Sequence, residues 1–373
     1  MCQLIKYELQ KLMGRKIVWA ALAGMLFMVC AMSVNWIYPD GESVQYFQDG
    51  EFVRLDGKEA IREAQAAAEK YAGPLTDERV QSVLRDFDMP DEDLRANGME
   101  PAREGYYVHN PLYASLRDFQ NMDGSWNGVT VRELYGDLAD RLTLGYSTGW
   151  VSAIYAVIYT LLSLGCVLII ILAPLFADEY TRGMDALILT GTIGRTKCAW
   201  AKIIAAFLVS IGLFAAVSLG MLALYLITHG VAGWNASIQI NDLALFAELP
   251  YPMTCGQAVL YAILLWFTAG LVVAAVSVLI SAAARSSFVS LIISFVVFVL
   301  PLFITWNKMG ILNMPAQFLP IRQMQLMDMF ELPLIWTGAA EWNVMWLTVP
   351  VSLLAAALCG MGARKVFARH QVM

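Results

Sequence analysis

Apolar positions along this chain come in long unbroken runs, not in the strict alternation of strands or the narrow stripe of surface helices. A bilayer core takes about 20 apolar residues as helix. Six stretches reach that length, at residues 17–36, 150–172, 203–227, 258–282, 288–306 and 342–362. The pattern predicts six transmembrane helices and an all-α polytopic membrane protein. Between the first and second runs, residues 39–149 follow another rule. "QYFQDGEFVRL" alternates on either side of Asp49-Gly50, a hairpin signal. "GKEAIREAQAAAEKYAG" reads as a helix, and Thr76 caps a second one, in which Val80, Leu84 and Phe87 share a face. "NPLYASLRDF" and "VTVRELYGDLADRL" predict two more, the last directed into the second run. The expectation is a small, mainly helical domain inserted between transmembrane helices 1 and 2.

Two shorter segments are amphipathic. In residues 1–16, Leu4, Ile5, Leu9, Leu12 and Met13 form an apolar stripe beside Lys6 and Lys11, which suits a helix lying at the membrane surface. In "ADEYTRGMDALILTGTIGRTKCAWAK", Tyr180, Met184, Leu187 and Ile188 recur at helical spacing. Asp178, Glu179, Arg182 and Asp185 occupy the other face, so a surface helix is predicted over 177–190. Gly191 and Gly194 break it, and Thr196 caps the next span.

Charge sharpens this picture. The 373 residues carry a net charge of -6, but 39–149 alone hold 22 acidic and 11 basic residues. An acidic insert therefore sits on a basic membrane body. Only 15% of residues are charged and the mean hydropathy is +0.58, outside the range of soluble domains. Basic residues concentrate on the cytoplasmic side of membrane proteins. With the N-terminus inside, twelve Lys and Arg fall in or beside the inner segments, against Lys308 and Arg322 outside. This places both termini in the cytoplasm and the insert outside. Cleavage of span 1 as a signal peptide after Ser33 is a rival, opposed by the aromatic pair Trp36 and Tyr38. The six cysteines show no metal-binding spacing, and the insert contains none, so it folds without disulfides.

The segment from Glu179-Tyr180 through Gly183, the Ala186–Leu189 run, the Gly194–Lys197 turn and Lys202 resembles the permease subunits of type-2 ATP-binding-cassette (ABC) exporters. "LIKYELQKLMGRKIVW" resembles the elbow helix of that family, and "LPYPMTCGQAV" before the fourth run is similar to it as well. The resemblance implies that 177–190 is the coupling helix that docks on a separate ATPase subunit. On that reading Asp178, Glu179, Tyr180, Arg182, Gly183, Met184 and Asp185 make the coupling site. Glu179, Arg182 and Asp185 would contact the ATPase, and Tyr180 and Met184 would anchor the helix in the membrane surface. It also implies a second permease subunit, the same or different, ATP and Mg on the partner alone, and the bacterial plasma membrane as location.

The residues themselves exclude other machinery. No ionisable group lies at the centre of any run, so coupling to an ion gradient has no visible carrier. No phosphate-binding loop and no metalloprotease or serine-hydrolase motif occurs, so no catalytic residue, metal site or cofactor is expected in this chain. Nothing points to nucleic acid. The resemblance also implies that the second and fifth runs line a translocation path, which makes Tyr155, Tyr159, Thr160, Ser290 and Ser294 its candidates. Helix packing is the simpler account of such hydroxyls and rings. Met324, Met327 and Met329 form an M-x-x-M-x-M run that suits an interfacial helix or a soft metal. Two readings compete with a permease: a mechanotransmitting ABC subunit, which six spans disfavour, and a scaffold or sensor that binds a ligand through the acidic insert.

Overall fold

The computed structural model describes residues 1–38, 42–48, 51–87, 109–121, 124–184, 194–243, 246–247, 249, 251–303, 313–316, 318–325, 335–337, 340–342 and 344–369. In chain order they form α1 (Cys2–Met13), α2 (Lys16–Trp36), β1 (Ser43–Gln48), β2 (Glu51–Asp56), α3 (Lys58–Lys70), β3 (Gly73–Pro74) and α4 (Asp77–Phe87). Then come α5 (Pro111–Ala114), α6 (Val131–Tyr135), β4 (Thr143–Leu144), α7 (Thr148–Leu172), α8 (Pro174–Thr181), α9 (Ala199–His229) and α10 (Cys255–Ala283). The chain closes with α11 (Ser287–Val299), α12 (Asn313–Ala316), α13 (Pro320–Gln325), β5 (Ile335–Thr337), β6 (Ala340–Trp342) and α14 (Val344–Arg369).

Five helices among the described residues are long and apolar enough to cross a membrane: Lys16–Trp36, Thr148–Thr181, Thr196–His229, Cys255–Ala283 and Leu347–Arg369. The fifth expected span is shorter, an apolar helix over Ser287–Phe303 whose last turn is 3₁₀. The remainder of that run, 304–306, lies outside the described residues.

The chain divides into two compact units. The first comprises Met1–Met32, Val157–Gly220 and Ala262–Met373. Bare backbone lets its helices approach closely. A Cβ on Gly165 would stand 2.4 Å from Phe298 Cζ, and one on Gly270 would stand 2.7 Å from Phe214 Cε2. Each glycine on one helix thus seats a ring from another. α11 buries Ser290, Ser294 and Phe298 at i, i+4 and i+8. Phe288, Val289, Ile292, Ile293 and Val296 remain exposed. Met324 is buried in α13, while Met327 and Met329 lie outside the described residues.

The second unit comprises Ser33–Ala156 and Met221–Tyr261. β1 and β2 pair antiparallel with Val44 opposite Leu55, the hairpin expected around Asp49-Gly50. Ala60, Ala64 and Ala68 give α3 a smooth buried face against Val44, Leu112 and Tyr113 in a core of its own. Thr76 Oγ1 accepts a hydrogen bond from Arg79 N, the expected cap of α4. Thr130 and Glu133 make a reciprocal capping box on α6. The helix read through "VTVRELYGDLADRL" is shorter than the periodicity implies. It turns at Gly136, φ 56°, continues as 3₁₀, and gives way to β4 before α7 begins. Ser237 Oγ accepts from Thr143 N at 2.8 Å, so the 231–254 connection is sewn to β4. Trp150 packs on Tyr225 with ring centroids 4.5 Å apart and on Trp234 at 5.2 Å.

Candidate functional site

The richest polar chemistry in the first unit gathers at the basic ends of its helices. α7 stops at Pro174, which lacks an N–H and cannot close the preceding turn. The freed amides of the next turn find another acceptor: Phe176 N and Ala177 N donate to Ser281 Oγ of α10 at 2.9 and 3.2 Å. α8 is thus a short helix capped from a neighbouring one. Its far end is closed by a Schellman motif. Met184 N donates to Glu179 O at 2.9 Å and Gly183 N to Tyr180 O at 3.1 Å, with Gly183 at φ 66°. A glycine fits that left-handed position without strain.

α8 carries three of the expected coupling residues, Asp178, Glu179 and Tyr180, with Arg182 as its C-cap, and their placement differs from that of a free surface helix. Glu179 is 2% exposed. Its Oε1 accepts from Lys202 Nζ at 2.6 Å and from Lys11 Nζ at 2.9 Å. Lys202, fully buried, also donates to Glu8 Oε2 at 2.8 Å and lies over the Phe176 ring at 5.8 Å. Two lysines and two glutamates therefore neutralise one another across α1, α8 and α9. One turn further out, Asp178 Oδ2 accepts from Arg15 at 3.1 Å and from Arg182 at 3.2 Å. Burial pulls the Arg15 guanidinium below its ordinary pKa, and Asp178 opposes that shift. Tyr180 donates to Ala282 O at 3.1 Å and stacks near Phe367 of α14.

The helix expected over 177–190 accordingly ends at Thr181. The apolar periodicity continues past Gly183, but the backbone turns there. Glu179 is buried within the protein, and Tyr180, half-buried, is tied to α10 through its hydroxyl. Arg182, with 66% of its side chain exposed, and Met184 remain at the surface. Asp185 and the 186–189 run lie outside the described residues. On α1 the expected stripe of Leu4, Ile5, Leu9, Leu12 and Met13 is half-buried or buried, and Glu8 joins Leu12 as a fully buried member of that face.

The candidate path residues lie on α7 and α11. Tyr155 packs against Trp36 at 5.1 Å, Tyr159 is 45% exposed, and Thr160 is fully buried. Ser290 and Ser294 sit on the buried face of α11, each with an Oγ that has no partner among the described residues. Among the described residues no group of three or more His, Cys, Asp or Glu is placed to hold a metal.

Sequence reasoning passed over Glu8, Lys11, Arg15 and Lys202 as members of the site. A signal existed for two of them. Glu8 is the lone acid in a basic segment of sixteen residues, and Lys202 follows an apolar pair at the opening of a span. An unpaired charge in either place would be costly.

Five long apolar helices among the described residues define a multi-pass membrane protein. The sequence profile of the ABC-2 family transporter proteins matches residues 2–336, nearly the whole chain, and the protein belongs to that family. It is a membrane component of the permease type in an ABC transporter. No curated protein and no solved structure matches the chain.

Proposed function

We propose that the chain is the permease subunit of an ABC exporter, driven by ATP hydrolysed on a separate cytoplasmic ATPase subunit and paired with a second permease subunit. Both termini and the basic ends of the helices lie in the cytoplasm, in keeping with the Lys and Arg bias. The acidic unit then faces outward. The observation that carries this reading is the joint around Glu179. It binds α1, α8 and the start of α9 into one charge-balanced body beside the segment that, by family resemblance, meets the ATPase. A push on such a body moves three elements together. The polar contact to the ATPase belongs to Arg182 and to the 185–193 segment; Glu179 acts as the internal strut. Absence of any phosphate-binding loop in the sequence leaves ATP and Mg to the partner.

The test is co-purification of the full-length tagged protein from its own host in mild detergent. An ABC ATPase at stoichiometric yield is expected, and Arg182→Glu is expected to lower that yield at least fivefold with the permease itself recovered intact. Intact protein without an ATPase, where a reference ABC complex survives, would overturn the reading and favour a scaffold built around the acidic unit.

A further inference from the structure

A cavity of about 210 Å³ lies within the first unit, walled by α10 and α11, by Ile169 of α7 and Ala355 of α14, and by the 318–321 segment that leads into α13. Its surface is made by side chains such as Val276, Val297, Phe298, Phe318 and Ile321. Among the described residues, no Asp, Glu, Lys, Arg or His lines it. One polar group stands apart. Ser294, 3% exposed, lines the cavity, and its Oγ has no hydrogen-bond partner among the described residues. Ser290 on the same helix is equally buried and unpartnered, but only Ser294 of the two lines the cavity, where a ligand can supply the hydrogen bond its hydroxyl lacks.

The wall formed by the α13 segment is fixed in place. Gln323 Nε2 donates to Phe318 O at 2.9 Å and to Ser352 Oγ of α14 at 2.8 Å. These two bonds anchor the 318–321 wall to α13 and α14.

We propose that this cavity binds a compact, neutral, apolar group bearing one hydrogen-bonding atom, which Ser294 meets. Size and charge set the class. Engineered apolar cavities of about 150 Å³ take up benzene, and pockets for drug-sized ligands begin near 300 Å³. A space between those limits accepts a single ring or a short stretch of hydrocarbon. A charged head group has nothing here to pair with and is excluded by desolvation. The same chemistry comes from two sources, the functionalised end of a lipid chain or a free small amphiphile. The site does not depend on which ATPase, if any, drives the protein.

The experiment uses the full-length protein in native membranes and two photolabels: octanol carrying a diazirine, and a phosphatidylcholine carrying a diazirine near the end of one chain. Labelled residues are read by mass spectrometry. Labelling at Val276, Phe298 and 318–321 is expected to be saturable and to fall at least fivefold with excess unlabelled octanol. Labelling at the exposed Phe288 is expected to stay constant. Capture by octanol alone assigns the site to a free molecule, and capture by the lipid probe assigns it to the bilayer. Val276→Trp fills the cavity and is expected to abolish labelling there. Ser294→Ala, the milder change, is expected to raise the octanol concentration for half-protection about three- to tenfold. Labelling that is equal at Phe288 and in the cavity and insensitive to octanol and to both variants, or no cavity labelling by either probe, overturns the proposal.

Discussion

At the scale of the residue, the account turns on Lys202. Its ammonium has no water to fall back on and depends on Glu8 and Glu179 for its charge balance. Breaking a buried ion pair from one side typically costs about 3–5 kcal/mol, because the other charge stays behind unpaired. Lys202→Met is therefore expected to lower the thermal midpoint of the purified protein clearly, and adding Glu8→Gln is expected to restore part of the loss. A double-mutant cycle reads the coupling. Additive losses from Lys202→Met and Glu8→Gln would mean the two groups do not interact. Glu42 and Asp242 make a second residue-scale case, in the other unit. Both carboxyls are held above their ordinary pKa, chiefly by burial, and the Asp242 charge adds to the effect on Glu42. Tyr146 lies beside them, His109 opposes the shift at Asp242, and the Thr148 hydroxyl donates to Asp242. A raised folded pKa means the folded state holds more protons than the unfolded one. The contribution is complete below the unfolded values of about 4 and is lost as pH rises through the raised folded values. The thermal midpoint is expected to show this downward slope, and Glu42→Gln with Asp242→Asn is expected to flatten it. An unchanged slope in the double variant would assign the pH dependence to other groups.

At the scale of the element, α8 is the piece whose form the sequence half-disclosed. Glycine and proline mark both of its ends, at Pro174 and Gly183, and a reading by apolar periodicity runs straight past the second. Period alone does not see that Gly183 adopts φ 66° and closes a Schellman turn. The apolar spans were plain because each satisfies its own backbone and needs only length and hydropathy to be recognised. The cap on α8 was hidden, since its acceptor, Ser281, belongs to a helix more than 100 residues away. Ser281→Ala leaves two buried amides without that oxygen and is expected to cost about 1–3 kcal/mol, read by thermal unfolding. An unchanged midpoint would show that Phe176 N and Ala177 N turn back to the carbonyls of α7.

At the scale of the whole molecule, composition and charge segregation were enough to indicate membrane spans, but not that the core on which the acidic segment packs also takes in Ile240, far beyond residue 149. The joint at the basic ends was not legible. Its ion pairs link Lys11 to Glu179 across 168 positions and Glu8 to Lys202 across 194. No local pattern encodes such a pairing; only the packing of α1, α8 and α9 brings the charges together. The same packing buries Glu179 and leaves Arg182 exposed beside it. On this account the ATPase moves the spans by displacing one charge-locked body. The measurement that tests this most directly is thiol labelling of Tyr159→Cys, an exposed position on α7, in the complex purified with its ATPase. Trapping nucleotide is expected to change the labelling rate severalfold. Lys11→Met with Arg15→Met, which removes both direct ion pairs between the N-terminal segment and α8, is expected to abolish that change with the ATPase still bound. A rate that ignores nucleotide, or one that responds equally in the double variant, would contradict the account.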